Sequence, residues 1–217
     1  YASLFQLARP DRKILTAEEP VEFSLEGVDQ VPVNSSMGMD FASVARSMLR
    51  QAPNVLLIGE TRTPEVAQIV CQAALTGHLV FTTLHATDTV GALIRLVDIG
   101  VPAFLVTESV SCILTQRLVR RICSHCKTEY RPGEEEVRSL DTDASHLTRA
   151  FRGEGCEKCS RTGYFAGRTA IYEMLSVTRD MQGAIAAQRP DDIMAIARAG
   201  GWRPLRQVGI EKVIRGE

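Results

Sequence analysis

The chain has 217 residues and nearly balanced charge, with 25 Lys and Arg against 26 Asp and Glu. This balance argues against a polybasic nucleic-acid binder or an acidic tail, and the length allows one core with a small satellite unit. Because no stretch approaches the roughly 18 to 20 uncharged apolar residues that span a bilayer, and no signal segment opens the chain, we expect a soluble protein that is not exported.

The chain opens with a helical pattern and a short strand. Residues 1–5 look like the interior of an amphipathic helix without an initiating Met or a capping residue, so we expect the sequence to be a piece of a longer protein. Residues 13–17 are predicted to form a strand, and Glu18 and Glu19 follow it. Pro20 disfavours helix at the residue before it. The two acids are therefore expected at the C-terminal end of a strand.

A helix and a buried strand are predicted next. After a connection rich in Gly, Pro and Asn over residues 27–38, Asp40 is a suitable N-cap for a helix that ends near Pro53. The apolar run 55–58 is too short for a helix of its own and is typical of a strand covered on both faces of a parallel sheet. Glu60 follows this strand after a single glycine.

The alternation continues with one more strand and two more helices. Thr63 as N-cap and Pro64 at the first helical position open a helix that ends before Gly77. The apolar run 79–84 is predicted as a strand, and residues 88–100 as a helix capped by its first residue. Strands that alternate with crossover helices predict an α/β fold with a parallel sheet.

The pattern changes towards the end of the chain. Pro102 is predicted to open one long helix that runs into a basic end at Arg120 and Arg121. Residues 123–167 are rich in Cys, Gly, Lys, Glu and Ser, which is typical of a small loop-rich unit. The remainder is predicted as one strand and short helices, over residues 168–175, 193–199 and 205–214.

Four polar residues are expected at one edge of the sheet. The carboxyl ends of parallel strands share an edge, where open α/β sheets bind ligands, and these ends carry Glu18, Glu19, Glu60 and His85. His78 belongs to the opposite end of its strand. Nucleoside triphosphatases use a carboxylate in this position to orient or deprotonate water and to anchor Mg²⁺. The alternative interpretation is that these acids and the imidazole are solvated loop residues.

The cysteines indicate a metal site. Four of the six form two C-x2-C pairs with 29 residues between them, Cys123 with Cys126 and Cys156 with Cys159. Four thiolates in two chelating turns suit a tetrahedral Zn²⁺ with a structural role, because no ligand position is left for water. The alternatives are two redox dithiols or two chance pairs. Cys71 and Cys112 are predicted on apolar helix faces as core residues.

Several motifs together resemble the secretion ATPases of type II secretion and type IV pilus assembly. ILTAEEPVE at 14–22 looks like the family's aspartate box, LIGETR at 57–62 like its Walker B segment, and TGHLVFTTLH at 76–85 like its histidine box. The four-cysteine module favours assembly and secretion motors over the retraction motors of the superfamily. The resemblance covers essentially the whole chain, with further similarity at residues 46–51, 116–120 and 167–173. Residues 100–104 are more similar to the pilus-assembly branch.

The resemblance implies a fold and a machine. It implies a RecA-like P-loop NTPase core of mostly parallel sheet and flanking helices in residues 1–122, a zinc-binding subdomain in 123–167 and a C-terminal strand and helical part in 168–217. The active form would be a ring hexamer that uses ATP, Mg²⁺ and Zn²⁺. It would drive pilin or pseudopilin through an inner-membrane platform protein, beside a cytoplasmic docking protein. The protein would be cytoplasmic, peripheral to the inner membrane through these partners, and would bind no nucleic acid.

The resemblance also implies roles for the acids and histidines. Glu60 would be the catalytic carboxylate. Glu18 and Glu19 would help to position Mg²⁺ and water. His85 would approach the γ-phosphate, and His78 would act across the subunit boundary.

Four arginines are further candidates for nucleotide or neighbour-subunit contacts. By resemblance, Arg168 would lie near the nucleotide base. Arg46, Arg50 and Arg62 are candidates for contacts with a neighbouring subunit. For these three, salt bridges on solvated helix or loop faces are an equally good interpretation.

The chain departs from the family pattern in two ways. No G-x-x-x-x-G-K-[ST] phosphate-binding loop occurs in the 217 residues, so we expect that loop upstream of Tyr1 and no activity from these residues alone. The family usually has Asp at the positions of Glu19, Asn54 and Thr63. The alternative function is a non-catalytic zinc-bearing assembly module that docks on the platform protein or on a sister ATPase.

Overall fold

The computed structural model describes residues 1–139 and 149–217, apart from the side chains of residues 165 and 166. The chain splits into two compact units. The first comprises Tyr1–Ile113 and Ser176–Ile196, and the second comprises Leu114–Leu175 and Ala197–Glu217.

The described helices and strands alternate in the first part of the chain and become irregular in the second. In chain order they are α1 (Ala2–Leu7), β1 (Ile14–Glu18), β2 (Asp29–Pro32), α2 (Phe41–Leu49), β3 (Val55–Ile58), α3 (Pro64–Leu75), β4 (Leu79–Thr82), α4 (Thr89–Asp98), α5 (Ala103–Ser109), β5 (Cys112–Ile122), β6 (Lys127–Tyr130), α6 (Glu134–Ser139), β7 (Ala150–Gly153), β8 (Tyr164–Ser176), α7 (Gln182–Ala186), α8 (Pro190–Ala199) and α9 (Leu205–Arg215).

The first unit is built on a four-stranded sheet in the order β2-β1-β3-β4. All three strand pairs are parallel, with Ala17 opposite Ile58 and Ile58 opposite Thr82. This confirms the predicted parallel sheet. The fourth strand, β2, lies inside the predicted connection over residues 27–38, and its polar sequence at the edge of the sheet shows no apolar run.

The helices of the first unit begin where side chains cap them. The Asp40 and Asp88 carboxylates accept hydrogen bonds of 2.7 Å from the amides of Ser43 and Gly91. The Thr63 hydroxyl accepts one of 3.4 Å from the third residue along the chain. Each cap satisfies one of the amides that a helix start leaves without an intrahelical partner. These three predicted helix starts are confirmed.

Helices cover both faces of the sheet. Because strand side chains alternate between faces, Leu15, Ala17, Leu56 and Ile58 pack against α2 and α3, through residues such as Met48 and Val66. On the other face, Ile14 and Val55 pack against Leu4 of α1. β3 is therefore buried on both faces, as its continuous apolar sequence predicts.

The second unit contains two small sheets. β5 pairs with β8 in one, and β6 pairs with β7 in the other. The β6–β7 pair is antiparallel, with Lys127 opposite Gly153 and Tyr130 opposite Ala150. The predicted strand over residues 168–175 and the predicted helices near the C-terminus are found as β8, α8 and α9.

The predicted long helix from Pro102 is wrong. α5 ends at Ser109, and the extended strand β5 occupies residues that the helical pattern had included. Ile113 and Thr115 are half-buried and alternate with exposed neighbours, which is the period of a strand. Pairing with the distant strand β8 decides the outcome, since β-branched residues are weak helix formers that fit a pleated surface.

The two cysteines outside the C-x2-C pairs have different positions. Cys71 is buried in α3, as predicted, and burial raises the pKa of its thiol. Cys112 is exposed at the start of β5, so its prediction as a core residue of a helix is wrong. The error follows directly from the misassigned helix.

The boundaries of the two compact units differ from those of the three domains predicted from the sequence, which are residues 1–122, 123–167 and 168–217. The second unit begins at Leu114 and takes in the last helix. The three-part division follows composition along the sequence and stays a prediction. None of the described helices combines the length and hydropathy that crossing a membrane requires.

Candidate functional site

Glu60 lies at the carboxyl edge of the sheet, directly after β3. Gly59 connects it to the strand, and the Gly59 amide donates a hydrogen bond of 2.8 Å to the carbonyl of Ala17 in β1. A Cβ at Gly59 would stand 3.0 Å from that carbonyl oxygen and 3.3 Å from the Phe41 ring, so a glycine fits this close approach. The Glu60 side chain is only 18% exposed.

The side chains of Arg62 and His85 both approach one oxygen of Glu60. The Arg62 Nε lies 2.8 Å from Glu60 Oε2, and the His85 Nε2 lies 4.0 Å from the same atom. The structure therefore brings together three of the predicted site residues. Arg62 forms a salt bridge with a carboxylate of its own chain, which is the alternative to a neighbour-subunit contact that the sequence analysis gave for this residue.

Threonine hydroxyls join the ends of β3 and β4 beside Glu60. The Thr61 Oγ1 lies 2.8 Å from the Thr82 Oγ1, and the Thr61 amide donates a hydrogen bond of 2.9 Å to the Thr83 carbonyl. The Thr83 hydroxyl donates one of 2.6 Å to the Gly59 carbonyl. The sequence interpretation missed these residues, although two threonines that end a strand two positions before His85 were a visible signal.

Glu18 is buried at the end of β1, with a residue exposure of 5%. Its carboxylate accepts hydrogen bonds from the Tyr1 hydroxyl, from the Thr16 hydroxyl at 2.5 Å and from the Gln30 amide at 3.0 Å. Burial and the hydrogen bond to Glu18 raise the pKa of Tyr1. Glu19, the next residue, is exposed. The two adjacent acids of the predicted site thus have different environments.

The remaining predicted histidine and arginines lie elsewhere. His78 stands at the start of β4, where its Nδ1 is 2.9 Å from the Ala73 carbonyl. Arg46 forms an ion pair with Glu65, and Arg50 donates a hydrogen bond of 3.2 Å to Ser47. Arg168 is an exposed residue of β8.

Two departures from the family pattern have local structural roles. The Asn54 Oδ1 accepts a hydrogen bond of 2.8 Å from the Lys13 amide, which joins the start of β3 to the start of β1. Thr63 caps α3. Both side chains are acceptors, as Asp would be, so neither departure removes a hydrogen bond from the fold.

The four paired cysteines form one cluster in the second unit. Their sulfur atoms all lie within 4.8 Å of one another. The Sγ distances are 3.9 Å between Cys123 and Cys156, 3.8 Å between Cys126 and Cys159, and 3.7 Å between Cys156 and Cys159. A tetrahedral Zn²⁺ with Zn–S bonds of about 2.3 Å requires sulfurs about 3.8 Å apart. The donor set therefore fits zinc in number, chemistry and spacing.

The environment of the cluster acts differently on two of its thiols. The amide of Cys156 donates a hydrogen bond to the Cys159 sulfur, which is the main cause that lowers the pKa of Cys159 to about 6. Burial raises the pKa of Cys126 to about 12. Four adjacent thiolates repel one another, and a divalent cation bound between them removes that repulsion.

Close main-chain contacts hold the two cysteine turns in place. The Cys123 amide donates a hydrogen bond of 3.0 Å to the Gly163 carbonyl, and the Glu154 amide donates one of 3.0 Å to the Cys126 carbonyl. A Cβ at Gly153 would overlap the carbonyl group of Gly163, and a Cβ at Gly163 would overlap that of Gly153. Gly163 also has a φ of 76°, which glycine adopts without strain.

Comparison with known sequences gives a consistent set of relatives. The profile of the family described as "Type II/IV secretion system protein" matches residues 1–217. The chain is 41% identical over 219 residues to the type IV pilus assembly ATPase PilB of Thermus thermophilus and 40% identical over 216 residues to the type II secretion system ATPase E of Vibrio cholerae. Each alignment covers 100% of this chain, but only 24% and 43% of the two relatives.

Solved structures show the same fold. The chain matches the pilus retraction motor PilT with a TM-score of 0.65 and 22% identity, over 94% of this chain and 49% of PilT. It matches the ATPase DotB of Legionella pneumophila with a TM-score of 0.63 and 20% identity, over 98% of this chain and 51% of DotB. The predicted RecA-like α/β class, with an added cysteine unit and a C-terminal helical part, is confirmed.

Proposed function

This chain belongs to the type II/IV secretion system protein family, and on that basis we propose that it forms part of an ATP-hydrolysing motor for type IV pilus assembly or type II secretion. The observation that supports this function is the Glu60 carboxylate. It follows the buried strand β3 and lies 4.0 Å from the His85 imidazole at the edge where α/β sheets bind ligands.

Glu60 is proposed as the general base. Its carboxylate accepts a proton from the water that attacks the terminal phosphorus of ATP, and the bond from that phosphorus to the leaving ADP oxygen breaks. Partial burial of the side chain reduces competition from bulk water for its oxygens. His85, whose side chain is 82% exposed, is free to turn from Glu60 towards the γ-phosphate oxygens.

Mg²⁺ would be held on the same edge of the sheet. The exposed Glu19 is the better placed of the two aspartate-box acids, because Glu18 is already bonded to three donors. Bound Mg²⁺ supplies positive charge beside the phosphates. Glu60 and Glu18 are proposed to keep their places when nucleotide binds, whereas His85 turns towards it.

The cysteine cluster is proposed as a structural zinc site. Four thiolates leave no position for a water or substrate, so Cys123, Cys126, Cys156 and Cys159 would stabilise the second unit and take no part in hydrolysis. The sulfur spacing supports this role.

The machine around this chain is inferred from its relatives. Their names describe assembly and secretion ATPases. We propose that the chain works in a homo-hexamer, with His78, Arg46, Arg50 and Arg168 as candidates for contacts with nucleotide or a neighbouring subunit. The ring would dock on an inner-membrane platform protein and a cytoplasmic docking protein, at the cytoplasmic side of that membrane.

The whole activity needs more than these residues. The chain spans only 24% to 43% of the relatives' length, and its 217 residues contain no G-x-x-x-x-G-K-[ST] loop. We propose that the phosphate-binding loop comes from another part of a longer protein. A non-catalytic assembly module is the competing function, because the cysteine cluster would suit either.

Glu60→Gln in the complete protein tests the proposal. Glutamine has nearly the same shape but does not accept the proton, so ATP binding should persist while steady-state hydrolysis falls by about 100-fold or more. Binding is measured with a fluorescent ATP analogue and hydrolysis by phosphate release. Near-normal turnover of the variant would remove Glu60 from the mechanism, and absence of turnover in the unmodified complete protein would favour the assembly module.

A further inference from the structure

The main chain on both sides of Glu60 is hydrogen-bonded to Thr83. The residue before Glu60 is Gly59, whose carbonyl accepts a hydrogen bond of 2.6 Å from the Thr83 hydroxyl. The residue after it is Thr61, whose amide donates one of 2.9 Å to the Thr83 carbonyl. Thr83, the residue directly after β4, is thus hydrogen-bonded to both peptide groups that flank Glu60.

The Glu60 side chain is held by a second contact. The Arg62 Nε lies 2.8 Å from Oε2, the oxygen that also faces His85. A guanidinium that donates to one carboxylate oxygen limits rotation of the carboxylate. The other oxygen, Oε1, is then the atom available to take a proton.

Thr61 is the buried residue of this arrangement, whereas Thr82 and Thr83 are exposed. Thr61 is 2% exposed, and its hydroxyl lies 2.8 Å from the Thr82 hydroxyl. Glu60 is 18% exposed, whereas the side chains of Arg62 and His85 are 65% and 82% exposed. The Glu60 carboxylate therefore lies between the buried Thr61 and the solvent-exposed side chains of Arg62 and His85.

We propose that Thr83 and Arg62 are positioning residues that hold Glu60 in one orientation, Thr83 through the flanking main chain and Arg62 through Oε2. This inference rests on the proposed role of Glu60 and deepens it. In this inference Arg62 contacts Glu60 of its own chain and does not bind the nucleotide. A base held in a single orientation meets the attacking water without rearrangement, and a displacement of about 1 Å costs about 100-fold in rate.

Thr83→Val tests the main-chain half of the proposal. Valine keeps the shape and the carbonyl but removes the hydroxyl that bonds Gly59. In the complete protein we expect kcat to fall about 10- to 100-fold with KM for ATP nearly unchanged, because the lost interaction acts in the transition state. Thr83→Ser, which keeps the hydroxyl, should restore most of the rate.

Thr107→Val is the matched control. The Thr107 hydroxyl also donates to main-chain carbonyls, those of Ala103 and Phe104, and it lies in α5. Turnover of this variant should equal that of the unmodified protein. The comparison separates loss of a threonine hydroxyl in general from loss of the one beside Glu60.

Two readouts distinguish positioning from a merely structural role. In nucleotide-free protein, amide exchange over residues 59–62 should be about fivefold faster in Thr83→Val and normal in Thr83→Ser. In a Glu60→Gln background, Thr83→Val should cause no further loss of kcat. An equal fold-loss in both backgrounds, or unchanged exchange and kcat, would overturn the assignment of Thr83.

Arg62→Gln tests the side-chain half. We expect a fall in kcat of about tenfold, partly reversed by Arg62→Lys, while affinity for a fluorescent ATP analogue stays the same. Arg179→Gln, which breaks an exposed ion pair with Glu108 in the same unit, is the control and should have no effect. A loss of ATP affinity in Arg62→Gln would show instead that Arg62 binds nucleotide.

The results also separate this inference from the proposed function. If Glu60→Gln retains normal turnover, the role of Glu60 fails, and the exchange measurement still shows whether Thr83 holds this segment. If Glu60→Gln is inactive but Thr83→Val and Arg62→Gln turn over normally, only the positioning inference fails.

Discussion

At the scale of single residues, the adjacent acids Glu18 and Glu19 have different environments. Glu18 is buried and accepts hydrogen bonds from Tyr1, Thr16 and Gln30, which belong to three separate parts of the first unit. Glu19 is exposed at the edge of the sheet. A carboxylate that already has three donors would have to lose them to bind a metal ion, and each lost bond to a charged group costs about 1.5–3 kcal/mol. Glu18 therefore joins elements, and Glu19 remains accessible.

Substitution of each acid by glutamine should separate these roles. Glu18→Gln replaces one acceptor oxygen by an NH₂ group that faces the donors of Tyr1, Thr16 and Gln30. We therefore expect the free energy of unfolding to fall by about 1–3 kcal/mol. Glu19→Gln should change it by less than about 0.5 kcal/mol, yet it should raise the Mg²⁺ concentration that half-maximal ATP hydrolysis requires. Urea unfolding and Mg²⁺ titrations measure the two effects. A stable Glu18→Gln variant with a weakened Mg²⁺ response would reverse the assignment.

Part of the site was predictable because it depends on topology alone. Parallel strands deliver the residues after β3 and β4 to one edge, so the approach of His85 to Glu60 follows from the order of elements. The hydrogen bonds of Glu18 do not follow from that order. They depend on where α1 and β2 pack, and the sequence pattern predicts neither the β2 strand nor the direction of the Tyr1 side chain.

At the scale of elements, local signals explain the successes and long-range pairing explains the failures. Asp40, Thr63 and Asp88 mark helix starts through bonds to the next few residues, so the sequence contains the whole signal. β5 and β8 pair across a long stretch of chain. The apolar residues of β5 fit a helical period as well as a strand, and only the partner strand decides between them.

α9 shows how a distant residue can replace a local cap. Its N-cap position is Pro204, which forms no side-chain cap. Instead, the Leu205 amide donates a hydrogen bond of 2.8 Å to the carboxylate of Glu173 in β8, which is 2% exposed. An acidic side chain near a helix N-terminus is also favoured by the helix dipole. β8 therefore sets where α9 begins.

Removing this long-range cap should loosen α9. We expect Glu173→Ala to lower the free energy of unfolding by about 1–3 kcal/mol, since it leaves the half-buried Leu205 amide without its acceptor. Glu173→Gln keeps an acceptor and should cost less. Glu211→Gln, which removes an ion pair between α9 and Arg203, is the control and should cost under about 1 kcal/mol. Urea unfolding and amide exchange over residues 205–215 measure the change, and equal stability of all three variants would contradict this role.

At the scale of the whole molecule, the two units are stabilised in different ways. The first has a cluster of buried apolar residues on each face of its sheet. The second contains small sheets and irregular turns around the cysteine cluster. A structural metal contributes free energy of folding to the unit that supplies its ligands. We therefore expect the second unit to depend on zinc and the first unit not to.

Replacement of a cysteine should expose this dependence. Cys126→Ser or Cys159→Ser should lower the zinc content from about one ion per chain towards zero and speed amide exchange in the second unit. Exchange over β1 and β3 should stay unchanged. Cys112→Ser, outside the cluster, is the control. Because protons compete with zinc for thiolates, acidification should release the metal as well. Unchanged zinc content, measured by elemental analysis, would contradict a tetracysteine site.

The contact between Gly153 and Gly163 limits how the gene for this protein can change. Each main chain occupies the space that a side chain of the other residue would need. Any change of either codon to that of another amino acid introduces a Cβ that overlaps the carbonyl group of the other glycine. Only the third base can drift. We therefore expect both glycine codons to accept only silent mutations, as the four cysteine codons would, although neither glycine has a side chain that could bind a ligand.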